Sequence, residues 1–313
     1  MDEFSSQFRW KNLNLNTELH VAGGFIYEGL FLIDRLSQLR YEDDYFQFLY
    51  SISVGIERLE KIAYLLTAHK CGDENPTTKW KKHDHPKLYQ LINQHIELSY
   101  SERELAFLNV LKDFYVDGRY QRFNYNEDSL TPNKDKNLLL TFLRRYYNIK
   151  PQNFIGCEET IFLTKELKEL IGCTIQDIVI PLYDVICNTA HSLRLFTYEI
   201  RYASKAYKIF IEQEFSFLKE RTAKRELIIK MINDNWNYDE LINAIKSIEP
   251  LQIEQLTVDK YIGYLINNPT ETDVKDEISQ IYEDDNWGNR AEIIGFIGED
   301  FQYESDQDFT DDI

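Results

Sequence analysis

Residues that interrupt or cross-link a chain are scarce here: 313 residues include seven prolines, twelve glycines and four cysteines. The cysteines (Cys71, Cys157, Cys173 and Cys187) stand far apart, which argues against the disulfide framework of a small secreted domain. No apolar run approaches the roughly 20 residues that span a bilayer, and the N-terminus lacks the basic-then-apolar order of a signal peptide. These absences predict reduced thiols and a cytoplasmic protein without a membrane segment.

Glycine-dependent catalytic motifs are also missing. Gly23-Gly24 and Gly263 lack the neighbours that a phosphate-binding loop or a dinucleotide fingerprint requires. There is no GxSxG elbow, and no carboxylate pair stands out from ordinary acidic faces. The sequence therefore predicts no cofactor.

Basic residues are too few for a surface that coats nucleic acid, since 35 Lys and Arg face 53 Asp and Glu and the net charge is −18. The charge is uneven: residues 283–313 hold eleven acidic residues and one basic residue, Arg290. We interpret this end as a solvated tail. Its alternatives are mimicry of nucleic acid and docking on a basic partner.

Helical periodicity, in contrast, is abundant. Apolar residues recur every three or four positions in the segments 51–70, 88–95, 105–115 and 175–218. In the first of these the stripe consists of Ile52, Ile56, Leu59, Ala63 and Leu66. Long stretches of apolar–polar alternation are absent, so the pattern predicts an all-α protein whose long helices close into a bundle.

Helix-ending residues divide the chain. Gly72 and Gly172 are predicted helix stops, and Ser101 with Glu104 is a predicted capping box. Asp43 and Asp44 are candidate caps, Pro86 suits a first helical turn, and Pro181 is expected to start or kink a helix. With a compositional seam at 219–225, the predicted organisation is a loosely attached lead-in (1–16), a bundle (17–218), a C-terminal helical region (219–290) and an acidic tail (291–313).

Three motifs follow one another in residues 51–125: ERLEK (57–61), HDHPKLYQLI (83–92) and YVDGRY (115–120). This order resembles the HEPN domain, a four-helix module of prokaryotic conflict systems, nucleotidyltransferase partners and RNase toxins. The resemblance covers residues 20–210 at most. It implies a HEPN-like bundle and binding residues within the motifs, which are Lys61, His83, Asp84, Arg119 and Tyr120.

Active HEPN ribonucleases use Arg-x(4–6)-His without a metal, with the arginine on the scissile phosphate and the histidine in proton transfer. Each of the six histidines lacks an arginine four to seven positions upstream. The nearest echo is Cys-Asn-Thr-Ala-His at 187–191, which leaves Asn188 and His191 as reserve catalytic candidates, with a packed or hydrogen-bonded core histidine as the alternative for His191.

A metal site is not predicted. His69 with Cys71, and His83 with His85, are separated by two positions, and such pairs do not share one face of a helix.

Arginines alternate with aromatic residues at RYQRFNY (119–125) and RRYYN (144–148). Guanidinium groups pair with phosphates and flat rings stack on bases, so Arg119, Arg122, Arg144 and Arg145 are candidates for binding single-stranded RNA. In the alternative interpretation, the tyrosines anchor the edge of the bundle and the arginines are simply solvated.

The expected function is a non-catalytic, HEPN-like binding component of a bacterial defence or toxin–antitoxin-like system. Its expected ligand is RNA or a protein partner, and a second copy of the chain, in a homodimer, is a further candidate partner. The alternatives are a diverged, metal-independent ribonuclease and a scaffold whose acidic tail docks a basic effector.

Overall fold

The computed structural model describes residues 6–72, 84–119, 134–149, 160–234, 240–253, 255–267, 272–281 and 287–297. Apart from one short strand pair, the regular structure of these residues is helical, which confirms the predicted all-α bundle. The chain divides into two compact units, residues 1–220 and residues 221–313. Nearly all of the buried apolar side chains belong to the first unit.

The first unit is built from long helices joined by shorter ones. They are α1 (Ser6–Trp10), α2 (Asn16–Arg35), α3 (Glu42–Lys70), α4 (His85–Asn93), α5 (Glu102–Asp113), α6 (Lys134–Tyr147), α7 (Lys165–Ser192) and α8 (Lys205–Phe210).

Short non-α segments complete this unit. Two π-helical segments, Lys11–Leu15 and Phe114–Gly118, follow α1 and α5. Strands β1 (Gln38–Leu39) and β2 (Ile161–Phe162) pair antiparallel. The strand pair ties the chain before α3 to the chain before α7.

Helix α3 is the centre of the first unit and packs against α2, α4, α5, α6 and α7. Its predicted stripe is fully enclosed, as the periodicity requires: Ile52, Ile56, Leu59, Ala63 and Leu66 have no exposed surface. This stripe therefore fixes which sides of α3 remain for polar residues.

Three predicted helix ends are confirmed. Ser101 and Glu104 form the capping box of α5, in which the Ser101 N–H donates to Glu104 Oε2 at 2.7 Å. Pro86 lies in the first turn of α4. Gly72 follows α3 with φ +82°, a conformation that glycine adopts without strain.

The predicted capping role of Asp43 and Asp44 is wrong. Helix α3 begins at Glu42, so both aspartates lie inside its first turn. There their carboxylates interact favourably with the positive end of the helix dipole instead of closing the helix.

The predicted helix stop at Gly172 is also wrong, because α7 runs unbroken from Lys165 to Ser192 and includes Pro181. The chain near Phe215 passes close to α7: a Cβ on residue 172 would lie 2.4 Å from the Phe215 carbonyl oxygen. Gly172 is thus explained by close packing and not by a turn.

Helix α7 also has the length and composition to cross a bilayer, contrary to the expectation that no such run exists. The mean hydropathy of its most apolar 18-residue window is 1.6, and 56% of that window is buried inside the structure. Ile175, Ile178, Leu182 and Ile186 are fully enclosed. In this structure most of the large apolar residues of α7 belong to the core of the bundle.

The N-terminal residues, expected as a loosely attached lead-in, are helical from Ser6 and joined to the chain after α7. The Asn12 Oδ1 accepts from the Phe196 N–H at 2.6 Å, and Asn16 Nδ2 donates to the Thr197 carbonyl at 3.1 Å. These bonds tie the chain just after α1 to the chain just after α7.

The second unit has a small core. Its helices are α9 (which begins in the first unit; Leu218–Asn233), α10 (Glu240–Lys246), α11 (Val258–Asn267), α12 (Asp273–Ile281) and α13 (Trp287–Ile294). Among its described residues, Ile266, Val274 and Glu277 are the buried ones. The buried Glu277 carboxylate links α11 to α12 by accepting from the Tyr261 hydroxyl at 2.8 Å.

Candidate ligand-binding site

A cavity of about 390 Å³ lies along α3 in the first unit. Helix α3 contributes side chains at helical spacing from Tyr50 to Leu65, including Glu57 and Lys61. The rest of the lining includes Trp10, Glu18 and Phe25 from α1 and α2, and Tyr115 from the π-helical segment after α5. The volume falls within the range of pockets that hold small ligands. We call it the aromatic cavity.

Stacked rings form one wall of the aromatic cavity and continue beyond it. The rings of Phe46 and Tyr50 are 6.0 Å apart and within 8° of parallel, and those of Tyr50 and Tyr115 are 6.4 Å apart and within 13°. The guanidinium carbon of Arg119 lies 4.3 Å from the centre of the Tyr115 ring. The result is a row of parallel flat faces that ends in a cation.

The π-helical segment explains why Tyr115 and Arg119 point the same way. Phe114 is fully buried and packs edge-on against Phe46 at 5.4 Å, which anchors the segment. The wider π-helical turn then displaces the following residues relative to an α-helix, and such turns are frequent at functional sites. Tyr115 and Arg119 are one turn apart and share a face.

Charged groups of both signs line the aromatic cavity. The carboxylate of Glu57 is 2.5 Å from Lys61 Nζ, and Arg58 is paired with Glu18. The Glu57 side chain is 5% exposed and the Lys61 side chain 30%. The buried carboxylate therefore holds the lysine in place, while the ammonium group stays within reach of an anionic ligand.

The phenol of Tyr115 responds to this environment. Burial raises its pKa, and the neighbouring Arg119 cation opposes that change. The hydroxyl group therefore stays protonated at neutral pH, and the ring stays uncharged.

A buried hydrogen-bonded relay lies on an adjacent side of α3. Ser53 Oγ is 3.0 Å from His85 Nε2, and His85 Nδ1 is 2.7 Å from Glu60 Oε2. All three residues are fully enclosed. Burial raises the pKa of Glu60, and the charge and hydrogen bond of His85 oppose that change.

The relay has the hydroxyl–imidazole–carboxylate order of hydrolytic triads. A triad, however, needs a nucleophile that a substrate can reach, and Ser53 has no exposed surface. The relay instead joins α4 to α3 by satisfying polar groups that would otherwise be buried without partners. Sequence reasoning missed it, although Ser53 and Glu60 are polar residues seven positions apart on a mostly buried helix.

The structure places the residues predicted from the motifs in different surroundings. Lys61 lines the aromatic cavity and Arg119 stacks on its wall. Asp84 caps α4 by accepting from the Lys87 N–H at 3.2 Å, and it lies 3.7 Å from Lys112. The other two motif residues, His83 and Tyr120, lie outside the described residues, as does Arg122 of the first arginine–aromatic cluster.

The two arginine–aromatic clusters are far apart. Arg145 pairs with Glu102 at the start of α5, at 2.5 Å, and its guanidinium lies over Tyr146. Arg119 follows 17 residues after Glu102, which is about 25 Å along the helix. Arg144 is exposed beside Arg145 on α6. The described arginines of the two clusters therefore lie near opposite ends of this helical stretch.

The reserve catalytic residues lie at the end of α7. Asn188 and His191 are exposed, so His191 is not the core residue that was expected, although its ring is packed and hydrogen-bonded. His191 Nδ1 is 3.1 Å from the Cys187 carbonyl oxygen, and its ring stacks on Tyr198 at 4.2 Å. These contacts hold the imidazole against its own helix end and bring no arginine to it.

Candidate metal ligands do not converge in the part of the chain that the structure describes. No group of three or more His, Cys, Asp or Glu side chains is placed to hold an ion there. His85 is committed to Ser53 and Glu60, and Cys71 is exposed at the end of α3.

No protein-family model, curated protein or solved structure matches this chain.

Proposed function

We propose that the protein is a non-catalytic binding component that holds an unstacked base of single-stranded RNA in the aromatic cavity. The observation that carries the proposal is the row of parallel rings, Phe46, Tyr50 and Tyr115, that ends in Arg119. Proteins that bind single strands use flat rings to stack bases and nearby cations to pair with phosphates.

The charges around the aromatic cavity suit this ligand. Lys61, Arg58 and Arg119 supply cations at or beside it, while Glu57 supplies a hydrogen-bond acceptor for the amino group of a base. The net charge of −18 disfavours nucleic acid elsewhere on the protein. RNA would thus bind at one local surface.

Two features support a role without catalysis. The Arg-x(4–6)-His pair is missing from the sequence, and the relay of Ser53, His85 and Glu60 is sealed from solvent. By the resemblance of its motifs to HEPN domains, the protein would act in the bacterial cytoplasm, within a defence or toxin–antitoxin-like system and beside a protein partner.

Replacing Tyr115 by leucine tests the proposal. The change keeps an apolar side chain but removes the ring that lies between Tyr50 and Arg119. The free energy of RNA binding should therefore become less favourable by about 1–3 kcal/mol. Tyr146→Leu is the matched control, because Tyr146 also carries an arginine on its ring but lies on α6. Fluorescence anisotropy of a labelled single-stranded RNA measures both variants.

Equal RNA affinity of the two variants would contradict the proposal. Failure of the wild-type protein to bind RNA, together with loss of a co-purifying protein in Tyr115→Leu, would favour the protein-partner alternative. Cleavage of RNA without added metal that stops in His191→Ala would favour the ribonuclease alternative.

A further inference from the structure

The last turns of α9 are mostly apolar and yet exposed. Leu227, Ile229, Met231 and Ile232 are 57%, 53%, 61% and 71% exposed, and no residue of α9 is buried. Apolar residues of a helix normally face the interior of the protein. Exposed apolar clusters of this kind mark surfaces that another chain segment covers.

Basic residues adjoin this apolar segment. Helix α9 contains five basic and two acidic residues in a protein whose net charge is −18. Arg221, Arg225, Ile228 and Ile232 follow one another at intervals of four, three and four, so they lie along one side of the helix. A segment that covers this side should be acidic and should carry apolar side chains.

The end of the chain has this composition. Residues 298–313 lie outside the described residues and contain seven acidic residues and no basic one. They also contain Phe301, Tyr303, Phe309 and Ile313. Sixteen residues span up to about 55 Å when extended, more than twice the roughly 24 Å length of α9. The segment continues directly from α13, in the same unit as residues 221–233.

We propose that residues 298–313 dock on α9 of the same chain, with their carboxylates on Arg221 and Arg225 and their aromatic rings on the segment 227–232. A second copy of the chain is a poorer occupant, because two α9 helices would bring their basic residues together. A basic effector that uses the acidic tail would then have to compete with α9.

Limited trypsin digestion tests the docking, because Lys230 lies within the segment that the tail would cover. A chain ending at Ile297 should be cut after Lys230 about tenfold faster than the full chain, which corresponds to about 1.4 kcal/mol of protection. A peptide of residues 298–313 added in trans should restore slow cleavage. The same peptide with its acidic residues replaced by amides should not.

A second variant keeps the tail in place. Arg221→Gln with Arg225→Gln in the full chain should also speed cleavage after Lys230, and raised salt should do the same in the wild type. Cleavage after Lys205 in the first unit is the internal control. Equal rates of cleavage after Lys230 in the full and truncated chains would overturn the proposal. It would be overturned in the same way if light scattering showed that both chains dimerise, because a second copy would then protect α9 in each.

Discussion

Lys11 places an ammonium group inside the first unit with no hydrogen-bond acceptor among the described residues. Burial lowers its pKa from 10.5 to about 8. Between these two values the unfolded chain binds more protons than the folded chain, so stability rises as pH increases through that interval. The lysine is therefore a cost to the fold at neutral pH.

Replacing Lys11 by methionine should raise the free energy of unfolding at pH 7, because the buried charge is removed while the apolar stem is kept. The rise in stability above pH 8 should also disappear from the variant. Urea denaturation at pH 7 and at pH 10 measures both effects. Lys205→Met, at a lysine that is 57% exposed, is the control; a Lys11→Met protein that is less stable at pH 7 would refute this account.

Removing the imidazole from the relay should be costly. His85→Ala leaves the Glu60 carboxylate and the Ser53 hydroxyl buried without their partner, and breaking a buried pair in this way costs about 3–5 kcal/mol. Because burial raises the pKa of Glu60, protonation can relieve part of the loss. The destabilisation should therefore shrink as the pH falls towards about 4.5.

The matched control is His95→Ala on the chain just after α4, where the half-buried ring lies beside Tyr64 at 5.9 Å. We expect a loss of about 1 kcal/mol or less there. Thermal or urea unfolding at two pH values compares the variants. A similar loss for both histidines would contradict the claim that the buried relay stabilises the fold more than a half-buried histidine outside it does.

Sequence reasoning found part of the site and missed the relay for a physical reason. Lys61 and Arg119 were identified from motif positions, and both lie at the aromatic cavity. The relay, by contrast, joins residues 25 and 32 positions apart on two helices. Which polar side chains meet across α3 and α4 depends on how those helices are aligned, and the spacing of residues along either one does not encode that alignment.

At the scale of helices, close contacts depend on single glycines. In α2 a Cβ on residue 23 would lie 2.6 Å from the Cα of Ala206 in α8, whereas a Cβ on residue 24 would meet nothing within 4 Å. Sequence alone treats both glycines as weakening the helix. The structure separates their roles, since only Gly23 is required by packing.

This difference predicts opposite effects for neighbouring substitutions. Gly23→Ala should destabilise the protein by about 1–3 kcal/mol, because α8 would have to move away from α2. Gly24→Ala should stabilise it by about 0.4–1 kcal/mol, because alanine restricts the unfolded chain. Thermal unfolding of the two variants, each an internal control for the other, measures the contrast; effects of the same sign would contradict the packing of α2 on α8.

Local sequence signals predicted a helix end correctly where all the residues that determine that end are neighbours in the sequence. The capping box of Ser101 and Glu104 is complete within four residues, and it is confirmed. Gly172 gives the same local signal as a helix stop, but the Phe215 backbone packed against it explains its presence inside α7. A tertiary contact 43 positions away in the sequence therefore overrides the local preference.

At the scale of the whole molecule, the chain combines a strongly negative total charge with two local groups of cations. One group, Arg58, Lys61 and Arg119, adjoins the aromatic cavity of the first unit. The other lies on α9. Composition predicted neither group, because a net charge describes a sum and says nothing about where cations gather.

Ultraviolet cross-linking of bound RNA, followed by mass spectrometry of the joined peptides, tests the central claim most directly, because a base stacked on an aromatic ring is placed to react with it. We expect cross-links at Tyr50, Tyr115 or Trp10 and their loss in Arg119→Ala, with Arg145→Ala unchanged. Cross-links confined to Tyr146 and Tyr147 of α6, or spread over the second unit, would contradict binding at the aromatic cavity.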